Sequence, residues 1–480
     1  MPKPIAGREM FHLDHTLVQL SASDAWTIRD ACEGTQVFGA TGSGKTSGSG
    51  QAIAKAMLAN GFGGLVLTAK PDEAALWERY AAQTGRSASV LRFGRDDQHR
   101  FNFLNAEARR GDGEGITSNL VELFATVLES AEGEGGRGND PFWPRALRQL
   151  LRNTVELLIL ARQPVRLTDM ASLIASAPQS PEQVKDQRWQ RSSELAHRLI
   201  EAQHHASTPR ERGDLEVTAR FWCEEFPGLA ERTRSSIVAT FTTMADGFIR
   251  GKLRDLFCTE TTVTPELTHE GVVLIVDLPV KQYHEVGRLA QILWKYCWQR
   301  ATESRVVNAH TRPVFLWADE SHLFVTPRDL EFQSTARSAR ACTVYLTQNL
   351  PAYFAQIGGP KPEDATDALL GVLQTKILHA NGDARTNEWV ERTVAKHWTH
   401  RTSTSKQDKP AGENTDPLKG HSFSSSSSPS LENELLAREL TLLRTGGPRN
   451  NRLVDALVFQ AGKCWNATGT NWLKTTFRQS

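Results

Sequence analysis

The stretch Gly39-Ala40-Thr41-Gly42-Ser43-Gly44-Lys45-Thr46 constrains this chain more than any other feature. It fits G-x-x-x-x-G-K-[ST], a spacing that binding a phosphate chain demands. The glycines let the backbone curl so that successive N–H groups point inward at phosphate oxygens. A helix starting near Gly44 adds its positive dipole end. Lys45 reaches the β- and γ-phosphates, and Thr46 ligates Mg²⁺. By chance a chain of this length carries about 0.02 such matches. The β-prone run 35–38 before the loop and the alanine-rich helical stretch 45–60 after it supply the expected context, and 65–67 reads as a second buried strand.

A phosphate loop needs an acid on a neighbouring strand. Val314-Phe315-Leu316-Trp317-Ala318 reads as a buried strand with Asp319 and Glu320 at its C-terminal tip. Asp319 would hold the Mg²⁺ shell and Glu320 would polarise the attacking water. Asp277 ends a similar apolar run, 272–276, and is the alternative metal acid, although no second acid follows it. Strand 342–347 ends at Gln348, an amide placed to contact the γ-phosphate or the water. Just upstream, Arg337 and Arg340 lie three apart on an expected helix, 328–340. Such an arginine can reach a neighbouring subunit's γ-phosphate and stabilise transition-state charge. No NKxD-type guanine signal follows the acid tip, which favours ATP.

Strand–helix alternation resumes at 272–278 and continues with helix 284–301 and strands 313–318, 342–347 and 373–379, so the class is α/β with a mostly parallel sheet. Residues 141–265 read as helical, with Leu147, Leu150, Leu151, Thr154 and Leu158 as an inner face. The expected organisation is an N-terminal extension (1–34), a nucleotide-binding domain in two pieces (35–110 and 266–480) and an all-α insertion (111–265). Residues 131–140 read as a flexible loop. The serine-rich 401–430, whose apolar residues are Ala411, Leu418 and Phe423 alone, reads as disordered. A last helix, 431–444, and a strand, 453–459, close the chain.

Charge and cysteine usage limit the alternatives. Lysine plus arginine is 56 against 55 acids, a net charge of +1, so the whole chain is no polycation and any grip on nucleic acid is local. Basic residues do crowd the helical region, among them Arg145, Arg148, Arg152, Arg234, Arg250, Lys252 and Arg254. The six cysteines are scattered without a CxxC, so no zinc-ligand cluster or disulfide framework can be read, and this usage suits a reducing cytoplasm. No apolar run is long enough to span a bilayer.

The ordered set of motifs resembles the type IV secretion coupling-protein ATPases of conjugation (TraG/TraD-like), within the wider FtsK/HerA group of ring translocases. The matching pieces are GATGSGKT (39–46), TAKPDE (68–73), FNFLN (101–105), PFWPRALRQLL (141–151), VVLIVDLP (272–279), ADE (318–320), ARSAR (336–340), YLTQN (345–349) and ILHANGDARTNEWVERT (377–393). The resemblance implies a RecA-like P-loop motor with an inserted all-α domain, assembling as a homo-hexamer and using ATP and Mg²⁺. It implies single-stranded DNA carrying a relaxase-like protein as substrate and a secretion channel as destination. Family members usually begin with two transmembrane helices, whereas 34 residues precede the first strand here. The expectation is therefore a cytoplasmic chain that meets the inner membrane through a partner protein. Thr68 stands where the family carries an acid, which leaves the role of Lys70 open. The competing readings are a HerA-like DNA pump working with a nuclease, a protein-substrate secretion ATPase, and a nucleotide-dependent assembly switch.

Overall fold

The computed structural model describes residues 11–95, 98–110, 121–123, 142–408 and 421–479. The expected loop at 131–140 lies outside them. The chain opens with a small antiparallel pair, β1 (Thr16–Gln19) and β2 (Ala25–Thr27), and a helical turn, Ile28–Cys32, whose Thr27 and Asp30 cap each other. Then come β3 (Thr35–Phe38), β4 (Gly63–Leu67) and β5 (Val90–Phe93). After a long helical stretch follow β6 (Val273–Val276), β7 (Val314–Ala318), β8 (Ala341–Thr347) and β9 (Thr375–Leu378). The chain ends with β10 (Lys396–Asp408), β11 (His421–Asn433), β12 (Leu453–Gln460) and β13 (Trp472–Arg478).

Nine of these strands form one sheet in the order β13-β12-β9-β3-β8-β7-β4-β6-β5. The seven from β9 to β5 run parallel, while β12 and β13 pair antiparallel at one edge. The central strands are continuous apolar runs because both faces are covered. On β7 the alternation splits neighbours: Val314, Leu316 and Ala318 join the core on one face, Phe315 and Trp317 the core on the other. On that second face Trp77, from the helix Glu73–Gln83, stacks on Phe315 with centroids 5.4 Å apart and meets Trp317 edge-on at 5.2 Å. Helix 73–83 is thereby fixed behind the acid strand.

Between β5 and β6 the described residues contain helices and no strands, among them Phe142–Leu160, Glu194–His205, Pro209–Arg220 and Glu231–Asp246. The expected inner face of the first is buried, Thr154 included, whose hydroxyl returns to the Leu150 carbonyl at 2.7 Å. The FNFLN stretch joins this region to the sheet. Phe101 stacks on Trp294 with centroids 4.1 Å apart, and its N–H donates to the Leu256 carbonyl.

Several elements differ from expectation. The helix expected over 328–340 is Arg328–Ala336, because Arg340 takes a left-handed φ of 50° and turns the chain into β8. Helix 284–301 is Val280–Glu303, broken at His284 with φ 51°. The closing helix shrinks to Ala437–Thr441, because β11 runs to Asn433. Of the region 401–430, residues 401–408 and 421–430 are not disordered but paired strands, and 409–420 lie outside the described residues. β10 and β11 form an antiparallel ribbon from Lys396↔Asn433 to Asp408↔His421. A lack of apolar residues argues against a core, and the ribbon's Trp398 and Leu431 are exposed. Its order comes from backbone pairing between runs of Thr and Ser that tolerate extended geometry.

Candidate nucleotide site

Register explains why the motifs meet. Phe38 pairs with Thr347 on one side and Leu378 on the other, and Leu67 pairs with Ala318. The residues that follow each strand therefore stand side by side at one end of the sheet: His379, Gly39, Gln348, Asp319 and Thr68. This is the carboxyl end, where open parallel sheets bind ligands. A cleft of about 660 Å³ opens there, lined by Ala40, Thr41, Gly42, Gly44, Lys45 and Thr46 on one side and by Lys70, Glu320 and Gln348 on another.

The phosphate loop has the backbone its glycines permit. Gly42 and Gly44 adopt φ of 77° and 87°. A Cβ on Gly44 would also meet Val454 of β12 at 2.7 Å, so the loop is braced from behind by the C-terminal strand pair. A π-helical turn, Thr46–Gly50, continues into the helix Gln51–Ala59. Ser43 Oγ is buried without a partner, as suits a loop built around a polyanion.

The acids fit the same purpose. The Thr46 hydroxyl donates its proton to Asp319 Oδ2 at 2.8 Å, leaving its lone pairs for a metal. Asp319 Oδ1 accepts the Glu320 N–H at 2.9 Å, which holds Glu320 in a left-handed conformation, φ 52° and ψ 44°. Such a backbone costs about 1–3 kcal/mol at a non-glycine residue. Glu320 Oε2 is buried without a hydrogen-bond partner, with His322 Nδ1 3.9 Å away, while Oε1 faces Gln348 Nε2 at 3.4 Å. Burial pushes the Glu320 carboxyl up, but Lys45 and Lys70 outweigh it and hold the group below its ordinary range. The alternative acid, Asp277, sits beyond β4 and is bound through Oδ2 to both Nε and Nη2 of Arg92 at 3.2 and 2.5 Å. The Thr46 contact goes to Asp319, so the residues present fit Mg²⁺ at Thr46 and Asp319.

Two expected residues part company. Arg340 is buried, and its Nη1 donates to the carbonyls of Phe11 at 2.8 Å and Thr311 at 3.0 Å, so it is spent inside its own subunit. Its φ of 50° also removes it from any helix face shared with Arg337. Arg337 is 57% exposed and pairs with Glu33 at 3.1 Å. The basic residues of the helical region are largely paired as well: Arg250 with Asp246, and Arg234 buried on the carbonyls of Pro227 and Leu229.

Other site residues escaped the sequence reading. Glu73 is buried, accepts the Ala69 N–H at 2.7 Å, and has its carboxyl pushed up to about 8 by burial and by Asp319. The Glu73 carboxyl therefore resists adding another negative charge beside Asp319. The spacing of Lys70 and Glu73, three apart at a helix start, is visible in TAKPDE. His379 is less visible. Fully buried behind the loop, it faces the Asp455 carbonyl through Nδ1 at 2.9 Å and Ser49 Oγ through Nε2 at 2.7 Å. A carbonyl only accepts, so Nδ1 carries the proton and the Ser49 hydroxyl donates to Nε2.

Burial pulls the His379 pKa down to about 4. The ordinary value is about 6.5, so between these two the unfolded chain binds the extra proton. This contribution is complete above about 6.5 and falls away as pH drops towards 4, by about 3 kcal/mol in all. Denaturation of wild type and His379→Gln across that range should show a difference that narrows as pH falls. A pH-independent difference would mean that the imidazole is not held neutral.

A family model for type IV secretory system conjugative DNA transfer matches residues 14–320, from the first hairpin through both acids. The chain belongs to this family. Comparison with curated proteins finds no match. Among solved structures, the bacterial conjugative coupling protein TrwB in an unbound monoclinic form aligns over 99% of this chain and 92% of its own, at 15% identity and TM-score 0.61. TrwB with ADP and Mg²⁺ aligns at TM-score 0.60 and 13% identity, over 98% and 91%. TrwB with a non-hydrolysable ATP analogue aligns at 0.59 and 14%, over 98% and 91%. The fold is thus that of a conjugative coupling protein, a P-loop α/β sheet with a helical region between its strands. Among the described residues no helix is long and apolar enough to cross a membrane.

Proposed function

We propose that this member of the conjugative DNA-transfer family hydrolyses ATP in the cleft and uses the cycle to move DNA. The observation that carries the reading is the 2.8 Å bond from Thr46 to Asp319, which joins phosphate loop and acid strand across 273 residues of sequence. TrwB, with the same fold, has been captured with ADP and Mg²⁺ and with an ATP analogue. Bound at Thr46 and Asp319, Mg²⁺ would neutralise charge on the β- and γ-phosphate oxygens. Lys45 binds the phosphates from the loop. Glu320 takes the attacking water on Oε2, which has no hydrogen-bond partner, and Gln348 steadies the other oxygen. The motor domain in this proposal comprises 35–110 and 266–480, with 1–34 as an extension and 111–265 as the helical insertion. The unbroken run of helices from 142 to 257 supports that division.

Family membership also supports the finer expectations: single-stranded DNA with a relaxase-like protein as substrate, a partner at the inner-membrane secretion channel, and a six-membered ring. DNA should stimulate ATP turnover, single strands most, and the stimulation should fall steeply with salt as released counterions are recaptured. Turnover indifferent to single- and double-stranded DNA alike would sink the DNA-motor reading and favour a protein substrate. Arg337 is the arginine left available to a neighbouring subunit. Arg337→Ala should spare ATP binding and assembly and lower turnover. Mixing it with Lys45→Ala subunits, which retain the arginine, should restore part of the activity. Mixtures as inactive as their parents at every ratio would remove Arg337 from that role.

A further inference from the structure

Lys70 is a cation without a task in the scheme above. It follows β4, whose C-terminal tip lies beside that of β7, and its Nζ is 3.3 Å from Glu320 Oε1, 3.9 Å from Asp319 Oδ2 and 3.9 Å from Glu73 Oε1. The backbone beneath it is fixed. The Gln291 side chain clamps both the N–H and the carbonyl of Thr68, at 2.6 and 2.5 Å, the Thr68 hydroxyl donates to the Val276 carbonyl at 2.7 Å, and Glu73 holds the Ala69 N–H. The lysine stem rises above this clamp into the cleft. It is one-third exposed and lines the same cleft as Thr41, Lys45 and Gln348.

These contacts differ from those of a structural lysine. Lys295 in the same chain is fully buried and donates directly to a carbonyl and a carboxylate. Two of the three Lys70 contacts, both at 3.9 Å, are too long for hydrogen bonds. An ammonium on a flexible four-carbon stem changes partners without the geometric penalty a guanidinium fork would meet.

We propose that Lys70 is the γ-phosphate cation of the acid side of the cleft, acting within its own subunit. Its ammonium stands against Glu320 and Asp319 and turns to the γ-phosphate when ATP is bound. Mg²⁺ at Thr46 and Asp319 would add positive charge beside these contacts and so weaken them. The movement takes the ammonium off Glu320 Oε1, so the carboxylate offers its full negative charge to the water at Oε2 only when a third phosphate is present. This deepens the ATPase reading and rests on it.

The test uses Lys70→Met in the full chain, with binding measured beside turnover. Turnover should fall about 100-fold, the scale of losing one transition-state charge partner. Affinity for a non-hydrolysable ATP analogue with Mg²⁺ should fall about tenfold, while ADP with Mg²⁺ binds as in wild type and reports an intact fold. Wild-type turnover in the variant would overturn the proposal. Equal losses for ADP and the analogue would do so too, because they assign Lys70 to shaping the loop. Lys70→Gln should repeat the pattern should the methionine variant bind no nucleotide at all, and equal losses there would overturn the proposal in the same way. Mixed with Lys45→Ala subunits, Lys70→Met should regain nothing, since every subunit then lacks one of its own cations. Recovery would place the lysine in a neighbour's site and overturn the same-subunit assignment. A wild-type chain that binds and hydrolyses no ATP would instead strike the ATPase reading beneath it.

Discussion

Exchanging Glu320 for glutamine should lower ATP turnover about 1000-fold, the range of a removed general base, and leave nucleotide binding near wild type. The two readouts separate because the binding groups are elsewhere, in Lys45, Thr46 and the loop backbone. Glutamine keeps the shape and the contact with Gln348 but cannot take a proton. Its backbone should stay in place, because the Asp319 carboxylate, not the Glu320 side chain, holds that turn. Lys45→Ala should differ by weakening binding as well as turnover. Near-normal turnover in Glu320→Gln would move the base elsewhere. Asp277 would be a poor substitute, because Arg92 binds the same Asp277 oxygen twice.

Asp329→Ala should be the most damaging single change to stability. The Asp329 carboxylate is almost wholly buried and serves five donors. Oδ2 takes Lys295 Nζ, the Thr326 N–H at 2.7 Å and, at 3.4 Å, the Thr326 hydroxyl; Oδ1 takes Tyr345 at 2.9 Å and Gln299 at 2.8 Å. Removing it leaves the Lys295 ammonium buried with the Phe324 carbonyl alone to answer it. Breaking a buried pair from one side costs about 3–5 kcal/mol, most of it the stranded charge. Chemical denaturation of the nucleotide-free protein should show that loss, and Lys295→Met combined with Asp329→Asn should recover much of it by removing the charge itself. A loss below about 1 kcal/mol in Asp329→Ala would mean that water reaches the ammonium.

What was legible in the sequence was what local runs encode. The phosphate loop and the Asp319–Glu320 tip can be read because each is a short string beside an apolar strand, and strand register then brings the two together. What was hidden depends on partners far along the chain. Arg340 looks like a surface arginine until Phe11 and Thr311 supply carbonyls for it. His379 becomes part of the site only because β9 pairs with β3 in a register that carries it behind the loop. The short edge strand β5 has no clear alternation to announce it. β13 does, with alternate residues buried, and could have been found. The serine-rich stretch misled because composition measures what side chains can bury, whereas the ribbon holds together through its backbone.

The brace behind the phosphate loop comes from far along the chain. Val454 touches Gly44, Gln479 donates to the Ser47 hydroxyl at 2.7 Å, and the carbonyl of Asp455 holds His379. The same C-terminal segment ties down the first strands, with Thr475 bonded to the Leu20 carbonyl and Gln460 and Lys463 to Asp30. During synthesis, residues 39–46 leave the ribosome early but wait for β12 and β13 before their back wall exists. The phosphate loop is therefore among the last parts of the molecule to be completed, because its back wall forms only once that distant segment has emerged and folded against it.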